Sequence, residues 1–86
     1  MIYQFVILDS ARRELEALPH HVRRQINARI LALVENPHPS GAKTLKGIHK
    51  GLFRVRSGDY RIVYKIEHSQ LVIVSVKIGN RKDVYD

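Results

Sequence analysis

The hydrophobic period changes once along this chain, and that change limits the fold more than any other feature. It falls at residues 36–42, Asn-Pro-His-Pro-Ser-Gly-Ala, a run of strong breakers. Before it, Ala11, Leu15 and Leu18 recur at helical spacing, as do Val22, Ile26, Ile30, Leu33 and Val34. Asp9 and Ser10 supply N-cap oxygens for a first short helix that Pro19 ends. A second helix runs from Pro19 or His20 to Glu35, where Asn36-Pro37 stops it. Arg12, Arg13, Arg23, Arg24 and Arg29 fall mostly on the wet side of this hairpin. Residues 2–8 are rich in β-branched and aromatic types and lack a basic leader and a cleavage site, so they read as a strand, not a signal peptide. After the breakers, Leu52 to Ser57, Tyr60 to Glu67 and Leu71 to Ile78 read as three successive strands. The order β-α-α-β-β-β predicts one α+β domain over residues 1–86. Its helical hairpin packs on one face of a mostly antiparallel four-stranded sheet.

The turns between those strands carry a register. Gly58-Asp59 has the Gly-X chemistry of a two-residue type II′ hairpin, whereas His68-Ser69 marks only a loose turn. With Gly58-Asp59 as the loop, Ser57 opposes Tyr60, Arg56 opposes Arg61, Val55 opposes Ile62, Arg54 opposes Val63 and Phe53 opposes Tyr64. One face then shows Phe53, Val55, Ile62 and Tyr64, joined by Ile66, Leu71 and Ile73 if parity holds, and this face carries the helices. The opposite, open face collects Arg54, Arg56, Arg61 and Lys65, backed by Val63, Val72, Val74 and Val76.

Charge follows the same division. Fifteen Lys and Arg against eight Asp and Glu give a net +7. Ten of the bases and only two of the acids lie between Lys43 and Lys82, so the excess belongs to the strand-forming half. Such a balance suits a polyanion, either nucleic acid or an acidic protein segment. It does not suit a membrane surface, because the basic half lacks the pattern of an amphipathic helix. A solvated outer face is the plain alternative, and it is the simpler reading for Lys43, Lys46, Lys50, Lys65 and Lys77, beside a diffuse electrostatic contribution. For Arg54, Arg56 and Arg61 together an anionic ligand is the better explanation. Guanidiniums gathered on one face repel one another, and their planar forks match phosphate oxygens in pairs.

Several chemistries find no support. No apolar run approaches the ~20 residues of a membrane span. Without cysteine there is no disulfide framework or thiolate metal site, which suits a reducing cytosol. His20 and His21 are adjacent and point apart, while His38, His49 and His68 lie in loops without ligand-spaced partners, so no metal is expected. The glycines are isolated turn residues rather than a nucleotide fingerprint, and no cofactor is expected.

One chemistry that such a cationic face can serve is metal-free RNA cleavage, by attack of the 2′-OH on the adjacent phosphorus. It needs a base, stabilisation of the phosphorane and a proton for the leaving 5′-oxygen. The side chains on hand are Arg54, Arg56, Arg61, Arg81, Lys82 and Tyr85. Gly79 lets the tail turn, so Arg81 and Tyr85 can fold back toward the basic face; packing of Tyr85 to dock the tail is the other reading. A phenol serves as base only if neighbouring cations lower its pKa from about 10. This chemistry is slow by itself and calls for a partner that pre-organises the substrate.

Leu45-Lys46-Gly47, Phe53-Arg54-Val55-Arg56, Gly58-Asp59-Tyr60-Arg61-Ile62-Val63-Tyr64 and Ile78-Gly79-Asn80-Arg81-Lys82-Asp83-Val84-Tyr85 together resemble the RelE branch of the RelE/ParE toxin superfamily, over essentially the whole chain. The resemblance implies the toxin of a type II toxin–antitoxin pair, a cytoplasmic endoribonuclease that cuts translated mRNA in the ribosomal A site by 2′-OH attack. On it, Arg61 and Arg81 match phosphate and transition-state residues, with Arg81 also beside the leaving oxygen. Arg54 matches a basic position on the second strand, and Tyr85 the tyrosine acting as general base. Arg56, Lys46, Lys50 and Lys82 are assigned to phosphate binding. Leu52 and Asn80 depart from the pattern, standing where relatives carry a lysine and a histidine. The implied partners are the ribosome with its mRNA and a cognate antitoxin whose acidic amphipathic segment wraps the toxin. Operator DNA would be bound only through the antitoxin. A ParE-like gyrase inhibitor and a catalytically weak RNA- or partner-binding relative are the alternatives.

Overall fold

The computed structural model describes residues 4–39, 42–45 and 51–78. The elements are β1 (Gln4–Ile7), α1 (Asp9–Glu16), α2 (His20–Glu35), β2 (Lys43–Thr44), β3 (Phe53–Ser57), β4 (Tyr60–Glu67) and β5 (Gln70–Ile78). They form a five-stranded sheet in the order β1-β5-β4-β3-β2, with β1 parallel to β5 and every other pair antiparallel. The α+β expectation holds, but the sheet has five strands, not four. The added strand β2 pairs Lys43 with Arg54 and Thr44 with Phe53. Two residues are too few to show an alternation, so this strand left no period to read.

The helices begin differently from expectation. Neither Asp9 nor Ser10 caps α1; both lie inside its first turn, and the N-cap is Leu8, with no side-chain hydrogen bond. Asp9 instead pairs with Arg12 at 2.9 Å. The helix ends at Glu16, before Pro19, which serves as the N-cap of α2. Ala11 and Leu15 of α1 and Ile26, Ile30, Leu33 and Val34 of α2 pack on Val55, Ile62, Tyr64, Leu71, Ile73 and Val76. No helix among the described residues is long and apolar enough to cross a membrane.

The β3–β4 register is the one that the Gly58-Asp59 turn dictates, from Phe53↔Tyr64 to Ser57↔Tyr60. Gly58 has φ +61, a conformation that a Cβ would strain. His68 and Ser69 form a tight turn rather than a loose one. Both have positive φ, 53° and 63°, between the paired Glu67 and Gln70, as a two-residue type I′ hairpin requires.

Parity does not hold along β5. Val63 pairs with Ser75 and Tyr64 with Ile73, leaving Val74 as the extra residue of a bulge. Val76 therefore sits opposite Ile62 in the core, not on the outer face, and Ser75 takes the outer position beside Val63.

The same end of β5 is an open edge, because β1 ends at Ile7 and its last main-chain bond runs from Leu8 N–H to Ile73 O at 3.0 Å. Helix α1 completes the edge with side chains. Val76 N–H donates to Glu14 Oε1 at 2.9 Å, Ser75 Oγ donates to the same oxygen at 3.3 Å, and Ser10 Oγ donates to the Val74 carbonyl at 3.4 Å. A carboxylate thus stands in for the missing strand.

Candidate nucleic-acid interface

The cross-strand registers lay the outer face out in two rows. Lys43, Arg54, Val63 and Ser75 face one another across β2, β3, β4 and β5. Arg56, Arg61 and Lys77 form the next row across β3, β4 and β5. Directly paired residues lie about 5 Å apart, so this second row sets three cations abreast within about 10 Å. Lys65 lies farther along the face, opposite Val72, and its ammonium pairs with Glu67 at 3.4 Å. Glu14 Oε2 stands 3.8 Å from Lys77 Nζ, so the acid that completes the β5 edge also counters one end of the row.

This face is not the open surface that alternation suggests. Arg61 is only 4% exposed, and Val63 next to it on this face and Val72 farther along are buried as well. Arg54 is half-buried, whereas Arg56 and Lys43 are exposed. Exposure therefore rises from the middle of the sheet toward the β2 edge. There Lys43, Arg54, Val55 and Arg56 line a cavity of about 180 Å³. An enclosed guanidinium with further cations at the rim can hold an anion and screen it from water, where electrostatic stabilisation is strongest.

The structure brings Arg54, Arg56 and Arg61 onto one face and adds Lys43 and Lys77 to them. The other site residues expected from the sequence, Arg81, Tyr85, Lys46, Lys50 and Lys82, lie outside the described residues, as do His49 and Asn80. Leu52 is described and is half-buried; its main-chain carbonyl accepts from Leu45 N–H at 3.0 Å. Glu14 was missed, and Lys43 was read only as a solvated surface residue. Glu14 acts on residues more than sixty positions away, and Lys43 sits on a strand too short to show a period.

The covered face holds a different polar group. Tyr64, fully buried, donates its hydroxyl hydrogen to the Pro37 carbonyl at 2.7 Å and stacks on Phe53, with ring centroids 5.5 Å apart. His38, itself exposed, meets the edge of Phe53 at 5.3 Å. Burial pushes the Tyr64 phenol up to about 12, against an opposing pull from the Arg29 charge. This phenol stays neutral at physiological pH and is no candidate base.

A second surface is apolar. Phe5, Ile7, Asn27, Ile30 and Leu31 line a groove between β1 and α2, with Phe5 44% and Leu31 58% exposed.

Known proteins resemble this chain in sequence and fold. Residues 5–85 match the family described as the ParE toxin of the type II toxin–antitoxin system parDE. A putative RelE-like toxin protein of Escherichia coli is 32% identical, covering all of this chain and 93% of its own length. The toxin RelE of Mycobacterium tuberculosis is also 32% identical, over 96% of this chain and 86% of its own. Among solved structures, the toxin–antitoxin complex RelBE2 of Mycobacterium tuberculosis superposes with a TM-score of 0.79 at 28% identity, covering 92% of this chain and all of that one. A match along nearly the whole sequence, on the same fold, means that the chain belongs to the RelE/ParE family of type II toxin–antitoxin toxins.

Proposed function

We propose that this toxin is a ribosome-dependent endoribonuclease that cuts translated mRNA in the A site. The observation that carries the reading is the row Arg56, Arg61 and Lys77, with Arg61 enclosed at its centre. In the reaction the 2′-oxygen attacks the adjacent phosphorus as the P–O5′ bond breaks, giving a 2′,3′-cyclic phosphate and a 5′-OH. Arg61 and Arg54 stabilise the added charge of the phosphorane, and in a water-poor site one such donor is worth about 100-fold in rate or more. Tyr85, as phenolate, takes the 2′-OH proton, and Arg81 stabilises charge on the departing 5′-oxygen, which takes its proton from solvent. Arg56, Lys46, Lys50 and Lys82 hold flanking phosphates. Cations stabilise charge without aligning the 2′-oxygen with the leaving group, and the ribosome supplies that alignment by holding the codon in place.

The cognate antitoxin is the second partner. The neighbouring RelBE2 structure is a toxin–antitoxin complex. In this chain the +7 charge and the apolar groove at Phe5 and Leu31 suit an acidic amphipathic segment that orders as it binds. Operator DNA is then contacted by the antitoxin.

Cleavage in a translating extract tests the proposal. Wild type is expected to give codon-phased cuts ending in cyclic or 3′-phosphate, weakened by Arg81→Ala and by Tyr85→Phe. The ParE description of the matching family favours a second reading, gyrase inhibition. Intact mRNA together with blocked DNA supercoiling would establish that reading instead.

A further inference from the structure

Lys43 has the placement of a ligand-binding residue. Leu45 N–H donates to Leu52 O, so in this antiparallel pair the main-chain groups of 52, 54 and 56 point toward β2. Among the described residues the pairing stops at Lys43↔Arg54, while β3 runs on to Ser57. Arg56 therefore turns its main-chain edge toward the end of the short strand, where the 180 Å³ cavity lined by Lys43, Arg54, Val55 and Arg56 opens. Among the described residues, three cations and no acid line it. The space admits a phosphate group with some of its water.

We propose that this edge cavity is a second phosphate subsite, in which Lys43 and Arg56 bind the phosphodiester next to the one that is cut, with Arg54 on β3 between the two phosphates. The inference rests on the endoribonuclease reading and adds a residue and a path to it. Strands β2 and β4 are two spacings apart, about 10 Å, so an anion at Lys43 is a different phosphate from one at Arg61. The exposure gradient assigns the roles: the enclosed guanidinium of Arg61 meets developing charge, and the exposed rim meets charge already present. The RNA backbone then crosses the strands from β4 toward β2.

The test separates binding from chemistry. In single-turnover cleavage of ribosome-bound mRNA, Lys43→Ala is expected to raise the half-saturating toxin concentration about tenfold at an unchanged maximal rate. Lys43→Glu should raise it further and Lys43→Arg restore it. Lys65→Ala, on the same face but outside the cavity, should match wild type. The salt dependence of binding should become shallower by about 0.7 in log–log slope for Lys43→Ala. A readout independent of cleavage is titration of the toxin with a 2′-O-methyl trinucleotide, followed by amide chemical shifts. Shifts centred on Lys43, Arg54 and Arg56 that vanish in Lys43→Glu support the subsite even if wild type cuts no mRNA, which would defeat the parent reading alone. Trinucleotide shifts elsewhere, or a Lys43→Ala variant equal to wild type, overturn it. So does a variant that loses affinity only for an acidic antitoxin peptide, since the cavity would then hold a carboxylate of the partner.

Discussion

Tyr64 and Arg61 lie three residues apart on the same strand, on opposite faces of the sheet, and both are withdrawn from water. Tyr64 is neutral, and its one donor is satisfied by the Pro37 carbonyl. Arg61 carries a full charge in the middle of a cationic row. Burial of a hydrogen-bonded neutral group costs little, and this one ties the loop after α2 to the sheet. A guanidinium set among further cations on one face is placed to meet a phosphodiester. One face stabilises the molecule, and the other is the one proposed to serve its reaction.

The comparison breaks first at Tyr64. Tyr64→Ala should cost about 3–5 kcal/mol in urea denaturation, the scale for deleting a buried aromatic, whereas Tyr64→Phe should cost about 1 kcal/mol and leave cleavage intact. Arg61→Ala should do the reverse, lowering mRNA cleavage about 100-fold or more at a smaller cost in stability than Tyr64→Ala. An equal loss of stability in Arg61→Ala would place both residues among the structural ones.

Alkaline pH sharpens the same contrast. The Tyr64 phenol is neutral in the fold up to about 12 but ionises near 10 once the chain unfolds. Its contribution is fully present below pH 10 and is lost as pH rises toward 12, to a total of roughly 2–3 kcal/mol. Tyr64→Phe should flatten stability over that window, as unfolding midpoints at several pH values would show.

Glu14 lies between the two faces. Glu14→Ala leaves the Val76 amide at an open edge and releases Lys77 from its acid, with an expected cost of about 1–2 kcal/mol by thermal denaturation. Glu14→Gln should recover most of it, since an amide oxygen still accepts. The smallest effect is at the β4–β5 turn. Replacing His68 with Asn and Ser69 with Gly relieves two left-handed residues and should raise stability by up to about 1 kcal/mol.

What could be read without coordinates depended on how local the signal was. Gly58-Asp59 carries its own turn geometry, so the whole β3–β4 register followed from two residues. Pro19 and Asn36-Pro37 bounded α2 for the same reason. The bulge at Val74 has no such mark: Leu71 to Val74 is apolar in both phases, so a period of two cannot tell which residues face the core. The outer arginines were legible as a cluster because alternation puts them on one side, but the burial of Arg61 was not, since burial depends on distant chain. Lys43 looked like any surface lysine until its strand partner placed it beside Arg54.

The most direct test of the two-faced sheet is to map cuts in a translated mRNA by primer extension for wild type, Arg61→Ala and Tyr64→Phe, with each protein's unfolding midpoint measured alongside. Codon-phased cuts are expected from wild type and Tyr64→Phe, and almost none from a fully folded Arg61→Ala. Undiminished cutting by folded Arg61→Ala would remove the outer face from the reaction.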